Sequence, residues 1–332
     1  MSIIGLESHT LADWAQTLDP RGRTAKVVER LSQSNPILDD MRLVQGNLPT
    51  GHRSTVRATL PAATWRRFNQ GVPPTKATTR QMEDVCGTLE AYAECDRDIA
   101  DLNGNSPAYR LIQDKAFLEA MSQEAARTLF YGNPALHPEQ FLGLAPRFGA
   151  LGAETGGQIV DAGGSGSTNT SIWLVVWDVT TCHGIFPRGS KAGLTSTDLG
   201  EVTLEDANGG RYQGYRSHYQ WKLGLSVPDP RHVARVANID MTALGDAGTE
   251  AYDGPDLPTL LIEACNRIES LQAGRAAIYC NRSVQTALDK LAMSRPNVRL
   301  TVDQYAGKPT TSFWGVPIRR VDQIVGDEPR VT

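Results

Sequence analysis

Apolar residues recur with helical spacing most clearly over 107–131, where Leu111, Leu118, Met121, Ala125 and Leu129 form a stripe opposite Gln113, Asp114, Glu119, Gln123, Glu124 and Arg127. Ser106 stands where an N-cap belongs, Pro107 at the first helical position, and Gly132-Asn133-Pro134 as a stop. At 1.5 Å per residue this predicts a spine helix of roughly 38 Å. Period-two alternation takes over further along. Over 171–180, Trp173, Val175, Trp177 and Val179 fall on one face and Ile172, Leu174 and Val176 on the other, which predicts a strand buried on both sides. Over 215–227, Tyr215, Tyr219, Trp221, Leu223, Leu225 and Val227 alternate with Arg216, His218, Gln220, Lys222 and Ser226. That is a half-buried strand of about 43 Å, twice the usual length.

Weaker patterns fill in the rest. Two short helices are predicted over 10–18 and 24–34, ended by Asp19-Pro20 and Asn35-Pro36, with too little apolar surface to fold alone. They read as an arm that packs on something else. Residues 42–48 and 52–60 flank a Pro49-Thr50-Gly51 turn and predict a long, sparsely apolar hairpin. Gly71-Val72-Pro73-Pro74 detaches it from the rest of the chain, so it is expected to project. After a Gly/Pro/Asp-rich stretch over 246–258, helices are predicted over 259–272 and after an Asn281 cap. Strands over 276–279, 298–302 and 316–325 complete an α+β unit with its own core. There is no internal repeat, and Gly163-Gly164-Ser165-Gly166-Ser167 reads as a flexible loop.

The 332 residues suggest about two domains, and 40% apolar content excludes disorder as the dominant state. The longest apolar run, 172–177, is far shorter than the ~20 residues of a membrane span, and the first residues lack the basic and apolar regions of a leader. The chain therefore reads as soluble and cytosolic, with no membrane partner. Five cysteines without a CxxC spacing read as free, mostly buried thiols. The net charge of -4 conceals an asymmetry. Residues 41–80 hold seven cations, Arg42, Arg53, Arg57, Arg66, Arg67, Lys76 and Arg80, and no acid, whereas residues 81–332 carry a net -9. A basic arm is joined to an acidic body.

Catalytic, cofactor and metal patterns are weak throughout. The Gly/Ser loop lacks the Lys-Ser/Thr ending of a phosphate loop and does not fit GxGxxG or GxSxG. Cys182-His183 is the most tempting pair, since a thiolate beside an imidazole is an activated nucleophile, yet neighbours on a strand point to opposite faces. The six histidines form neither HxxxH nor HExxH. The expectation is no catalytic, cofactor or metal residue. For the basic segment three readings stand. It could be a nucleic-acid arm in which arginines interleave with Trp65 and Phe68, a solvated hairpin, or an arm on one subunit lying on the acidic body of the next. On the last reading Arg42, Arg53, Arg57, Arg66 and Arg67 are inter-subunit contacts.

Local stretches then point to a family. Phe141-Leu142-Gly143-Leu144-Ala145-Pro146-Arg147-Phe148, Gly184-Ile185-Phe186-Pro187-Arg188-Gly189 and Ala192-Gly193-Leu194 are three of them. Trp221-Lys222-Leu223-Gly224-Leu225 comes next, leading to Asp229-Pro230-Arg231 and Arg235-Val236-Ala237-Asn238-Ile239-Asp240. Trp314-Gly315-Val316-Pro317-Ile318 with Asp322 comes last. In this order, with an arm, a projecting hairpin, a spine and long strands, the chain resembles the major capsid proteins of tailed bacteriophages over nearly its whole length.

The resemblance implies an α+β, HK-97-like phage capsid fold. It assigns an N-terminal arm (1–40), an extended loop or E-loop (41–80), a P domain (81–241) holding the spine, an A domain (242–311) and a strand returning to the P domain (312–332). It implies a structural virion protein, not an enzyme, whose copies form pentamers and hexamers of an icosahedral shell around double-stranded DNA. A portal is an implied partner, and the host bacterial cytoplasm the place of assembly. Some members cross-link subunits from a Lys to an Asn, but residues 41–75 hold no Lys, so a non-cross-linked shell and a cement or decoration protein are expected. No long acidic or coiled-coil pre-segment precedes the arm, so a separate scaffolding protein is expected, or a pre-segment removed earlier. The alternatives are an α+β enzyme using Cys182 or His183, or a nucleic-acid-binding module using residues 41–80.

Overall fold

The computed structural model describes residues 33–102, 106–205, 208–245, 254–294, 300–305 and 308–332. The helices predicted over 10–18 and 24–34 lie outside them, except for Gln33 and Ser34, which are not helical. The chain divides into two compact units. One comprises Met1–Ser34, Thr88–Ala126 and Gly193–Lys222, the other Asn35–Gly87, Arg127–Ala192 and Leu223–Thr332.

In chain order the described elements begin with α1 (Ile37–Asp40), β1 (Leu43–Gln45), β2 (Gly51–Thr59), β3 (Thr78–Val85), β4 (Gly87–Asp96) and α2 (Arg97–Asp101). The spine α3 (Ser106–Tyr131) is next, then α4 (Leu144–Arg147), β5 (Ile159–Asp161), β6 (Asn169–Trp177), β7 (His183–Phe186), β8 (Leu194–Glu205) and β9 (Arg211–Ser226). The last are β10 (Val233–Asp240), α5 (Leu257–Arg267), β11 (Arg275–Cys280), α6 (Arg282–Ser294), β12 (Leu300–Tyr305), β13 (Lys308–Phe313) and β14 (Val316–Arg320).

The first unit is a sheet backed by the spine. β8 and β9 pair antiparallel from Leu194 opposite Trp221 to Glu205 opposite Arg211, with a slip between Asp198 and Glu201. β4 is the neighbour of β9 on the other side. Leu89, Ala91 and Ala93 of β4 pack with Met121, Phe117 and Leu118 of α3 and with Tyr219 and Trp221 of β9. On β4 the alternate residues Glu90, Tyr92 and Glu94 meet polar partners from β9: Gln220 donates to Glu90, His218 stacks on Tyr92, and Arg216 pairs with Glu94 at 2.6 Å. Leu111, expected in the apolar stripe, is exposed instead. It shares its helical face with Leu129, about five turns on and fully buried, so its exposure reflects what packs at this end, where Tyr109 is the buried residue, against Cys95 and Ala100.

The second unit is built on a seven-stranded sheet in the order β12-β13-β14-β11-β6-β10-β5. β6 lies inside it, antiparallel to both β10 and β11, and every one of its residues is buried. The two-sided alternation has a separate partner on each face. Ile172, Leu174 and Val176 join Leu257, Leu261, Ala264 and Cys265 of α5 and Val284, Ala287, Leu288 and Leu291 of α6 in one core. Trp173 faces Phe130 and Phe148, with ring centroids 6.2 Å away in both cases. Burying such side chains contributes about 1.5–3 kcal/mol each. The strand ends earlier than predicted because 178–180 turn back, with the Asp178 carboxylate capped by the amide and hydroxyl of Thr180.

The predicted Asn281 cap is present. Its Oδ1 accepts the Val284 amide at 2.9 Å, and its Nδ2 donates to the Thr170 hydroxyl at 3.0 Å. Asn281→Ala is expected to cost about 1–2 kcal/mol, read as a lower urea midpoint with an unchanged slope. The Gly/Ser loop is tied down more than its composition predicts. Gly164 donates to the Asn238 carbonyl at 2.8 Å, and Asn169 Nδ2 donates to the Gly166 carbonyl at 2.7 Å.

The predicted hairpin forms, but between other strands. Residues 43–45 do not pair with 51–59; they run parallel to β7, with Val44 opposite Ile185. The cause is a side-chain-free spot on β7: a Cβ at Gly184 would lie 2.6 Å from Met41 Sδ and 2.8 Å from Leu43 Cδ2, so these apolar chains settle there. β2 pairs antiparallel with β3, from Gly51 opposite Val85 to Thr59 opposite Thr78. Residues 60–77, with the Gly71-Val72-Pro73-Pro74 stretch, connect the two strands and contain no strand or helix.

Candidate assembly surface

β2 and β3 pair only with each other among the described residues. Burial fades along the hairpin from Gly51, which is buried, to Arg57–Thr59, which are exposed. Every residue from 60 to 77 is exposed. Trp65 and Phe68 have 101% and 96% of their surface free, with Leu60 and Val72 also largely open. Large aromatic side chains left uncovered together are an interaction signal rather than ordinary surface.

The structure separates the five arginines predicted as contacts. Arg42 pairs with Asp178 at 3.5 Å, and Arg53 donates to Glu83 from Nε at 3.2 Å and Nη2 at 2.7 Å. The backbone of Arg53 is also held by the side-chain amide of Asn47, through two hydrogen bonds of 2.7 Å. These two residues have partners within their own chain, though both side chains stay largely exposed. Arg57, Arg66 and Arg67 are exposed and, with Lys76, form no ion pair among the described residues. Arg80 reaches Glu154 at 3.3 Å. The unpaired charge is therefore concentrated at the outer end, beside Trp65 and Phe68.

The root of the hairpin is locked by a buried charge pair. Arg147 Nη2 donates to Asp84 Oδ1 at 2.7 Å and to the Leu225 carbonyl at 3.0 Å, while Ser226 donates to Asp84 Oδ2 at 2.8 Å. Asp84 is directly opposite His52 in the ladder, and the His52 ring meets His183 of β7 edge-on, with centroids 5.7 Å apart. His52 also lines a groove of about 1060 Å³ that includes Ser54, Arg57, Glu154, Val179 and Asp229. Sequence reasoning missed this root because Asp84, Arg147 and Ser226 are far apart along the chain and carry no motif.

Cys182 and His183 do not make a reactive pair. Cys182 is fully buried, and burial pushes its thiol up to about 12, so it stays protonated and inert. Burial and the nearby His52 push the His183 imidazole down. Cys86 and Cys280 are likewise raised to about 12, and Cys95 and Cys265 to about 11, by burial above all. All five cysteines are free. Among the described residues no group of three or more His, Cys, Asp or Glu converges as a metal site, and no helix is long and apolar enough to cross a membrane.

Comparison with known proteins matches residues 19–332 to the family model described as major capsid protein GP7. No curated protein sequence matches the chain. Among solved structures, a chain from bacteriophage Epsilon15 is similar over 100% of both chains, with 37% identity and a TM-score of 0.77. A chain from the capsid of a native GTA particle covers 70% of this chain and 99% of its own, at 10% identity and a TM-score of 0.46. One from Mycobacterium phage Adephagia covers 69% and 97%, at 11% identity and a TM-score of 0.43.

Proposed function

Because the chain belongs to the major capsid protein GP7 family, we propose that it closes a shell by laying the outer part of its β2–β3 hairpin on a neighbouring copy. Its role is structural: it is a bacteriophage major capsid protein of HK-97-like α+β fold, which self-associates into the capsid shell of the virion. The observation that carries the hairpin's part is the charge left after internal pairing. Arg57, Arg66, Arg67 and Lys76 are unpaired among the described residues, beside two uncovered aromatic rings, while residues 81–332 carry a net -9. Opposite potentials on two copies steer their encounter and fix their register. Arg42 and Arg53, held by Asp178 and Glu83, lie at the base of the arm and would meet a neighbour only with those pairs in place.

In this reading residues 41–80 act as the extended loop, 1–40 as the arm, 81–241 as the P domain, 242–311 as the A domain and 312–332 as the returning strand. Copies gather as pentamers and hexamers of an icosahedral shell around double-stranded DNA. Assembly takes place in the host bacterial cytoplasm, with scaffolding, portal and cement proteins as partners. Each contact can be weak, because every subunit makes many.

The test is sedimentation of the recombinant full chain with negative-stain imaging of the fast fraction. Shells, tubes or ring-shaped capsomers are expected. A monomer or dimer at every salt and protein concentration, unchanged by adding phage lysate, would overturn the reading. Denaturing gels of the particles should show one band near 36.1 kDa. Residues 41–75 offer no Lys for an isopeptide bond, and a ladder of covalent oligomers would contradict a non-covalent shell.

A further inference from the structure

The root of the hairpin contains a group that the assembly role does not use. His183 is 1% exposed, and among the described residues its ring nitrogens have no well-formed hydrogen bond, the Asp178 main chain being a weak partner at most; the Nδ1 of His52 is buried and unpartnered among them as well. An imidazole placed as His183 is tolerated while neutral and is costly once charged, because its proton would be buried against the His52 ring. His52 lines the groove with Ser54, Arg57 and Glu154, whereas His183 lies behind it.

The surroundings set what protonation would do. Across β3, Asp84 is already engaged by Arg147 of α4 and by Ser226 at the end of β9. In the turn before β7, Asp178 is engaged by Thr180 and by Arg42, which precedes β1. Cys182, next in the chain, is an un-ionised thiol. Both carboxylates favour a charged His183 weakly, as does the Asp178 main chain, but burial and His52 outweigh them and push this imidazole below its ordinary value. The unfolded chain takes up that proton below about pH 6.5, whereas the folded root resists it, so the root is stable above that pH and is weakened as pH falls through it.

We propose that the His52–His183 contact is a proton-operated latch at the root of the β2–β3 hairpin: with His183 neutral, β2 closes on β7; with His183 charged, its buried charge drives the two strands apart. The strand contact that yields is a small one. The root is held by the ladder from Gly51 to Arg53, the Cys86 amide bonded to the Thr50 carbonyl at 2.9 Å, and the Arg147–Asp84 pair. Its link to shell assembly rests on the hairpin's proposed role, but the latch itself can be tested without it.

The experiment is amide hydrogen exchange of the full-length protein at pH 7.5 and 5.5, with rates corrected for intrinsic pH dependence. Peptides covering 50–54 and 83–87 are compared with the buried β6 as an internal control. The wild type is expected to lose protection at the root by about tenfold or more on acidification, with β6 unchanged. His183→Asn removes the buried imidazole and should abolish most of that loss; His52→Asn removes the ring packed against it from a half-buried site and should diminish the loss even if His183→Asn fails to fold. Equal protection at both pH values, or an undiminished response in His52→Asn, would overturn the latch. Sedimentation of the same samples reads assembly separately, so a failed latch with intact shells leaves the hairpin's role standing.

Discussion

Replacing Arg57, Arg66 and Arg67 together by Glu is expected to abolish fast-sedimenting assemblies at physiological salt while leaving the thermal transition of the subunit in place. All three side chains are exposed and unpaired among the described residues, so their reversal breaks no contact with these, and exposed substitutions of this kind fall within about 0.5 kcal/mol. At the interface the effect is large. The outer hairpin changes from attracting to repelling a body with a net charge of -9, and like charges juxtaposed across an interface cost several kcal/mol per contact, repeated at every subunit. Wild-type assembly should also weaken as salt rises, because the screening length shrinks from about 10 Å at 0.1 M to 3 Å at 1 M. Arg53→Glu alone is a useful contrast: it faces Glu83 and should disturb the hairpin locally by about 1 kcal/mol, without the assembly phenotype of the triple variant. Normal shells from the triple variant would show that the hairpin does not bind through charge.

How much of this was legible in the chain depends on how local each cause is. The spine was readable because a 3.6-residue period, a proline near its start and a glycine stop all lie within one stretch; Leu111 was misassigned, and Ser106, read as the cap, is the first described residue of the helix itself. β6 was readable because both of its faces are apolar. β4 was not, since its inward residues Ala91, Ala93 and Cys95 are small and its outward residues Glu90 and Glu94 are charged, a pattern that helices share. β3 and β8 were missed for a related reason, as most of their residues are exposed and neither supplies a run of apolar residues. The hairpin was seen with the wrong first strand. Turn residues at 49–51 announce a reversal, but whether 43–45 pair with β2 or with β7 is decided by the bare backbone at Gly184, well over a hundred positions away.

The assembly surface shows the same divide. The excess of cations over 41–80 was visible at once, since it needs only counting. Which of them remain unpaired was not, because Glu83, Glu154 and Asp178 neutralise Arg53, Arg80 and Arg42 through contacts that only the folded chain creates. The same holds for Asp40, whose side chain is fully buried yet meets Arg275 at 2.7 Å, Arg319 at 3.1 Å and the Tyr279 hydroxyl at 2.8 Å. In sequence it reads as one more acid in the arm. In the fold it fastens α1 to β11 and β14.

Glu328→Gln is expected to destabilise the subunit by about 3–5 kcal/mol, the largest loss foreseen for a single substitution. Glu328 and Arg235 are 2% and 4% exposed and pair at 2.8 Å. The carboxylate also accepts the hydroxyls of Tyr131, the last residue of the spine, and Ser171 of β6. Arg235 in turn donates to Ser171 at 3.0 Å and to the Phe148 carbonyl at 2.7 Å, with its guanidinium 4.9 Å from the Trp173 ring centre. Burial and the Glu328 charge push the Tyr131 phenol well up, so it remains a donor at any pH of interest. Removing the negative charge would leave a guanidinium in a nearly dry core with only neutral acceptors, which is why breaking such a pair costs far more than an exposed one. Urea unfolding would read the loss directly. Pairing Glu328→Gln with Arg235→Met supplies the control: once no buried cation is left alone, the double variant should recover much of the stability that the single one loses. If the two losses simply add, Glu328 acts through its hydrogen bonds to Tyr131 and Ser171 rather than through its charge.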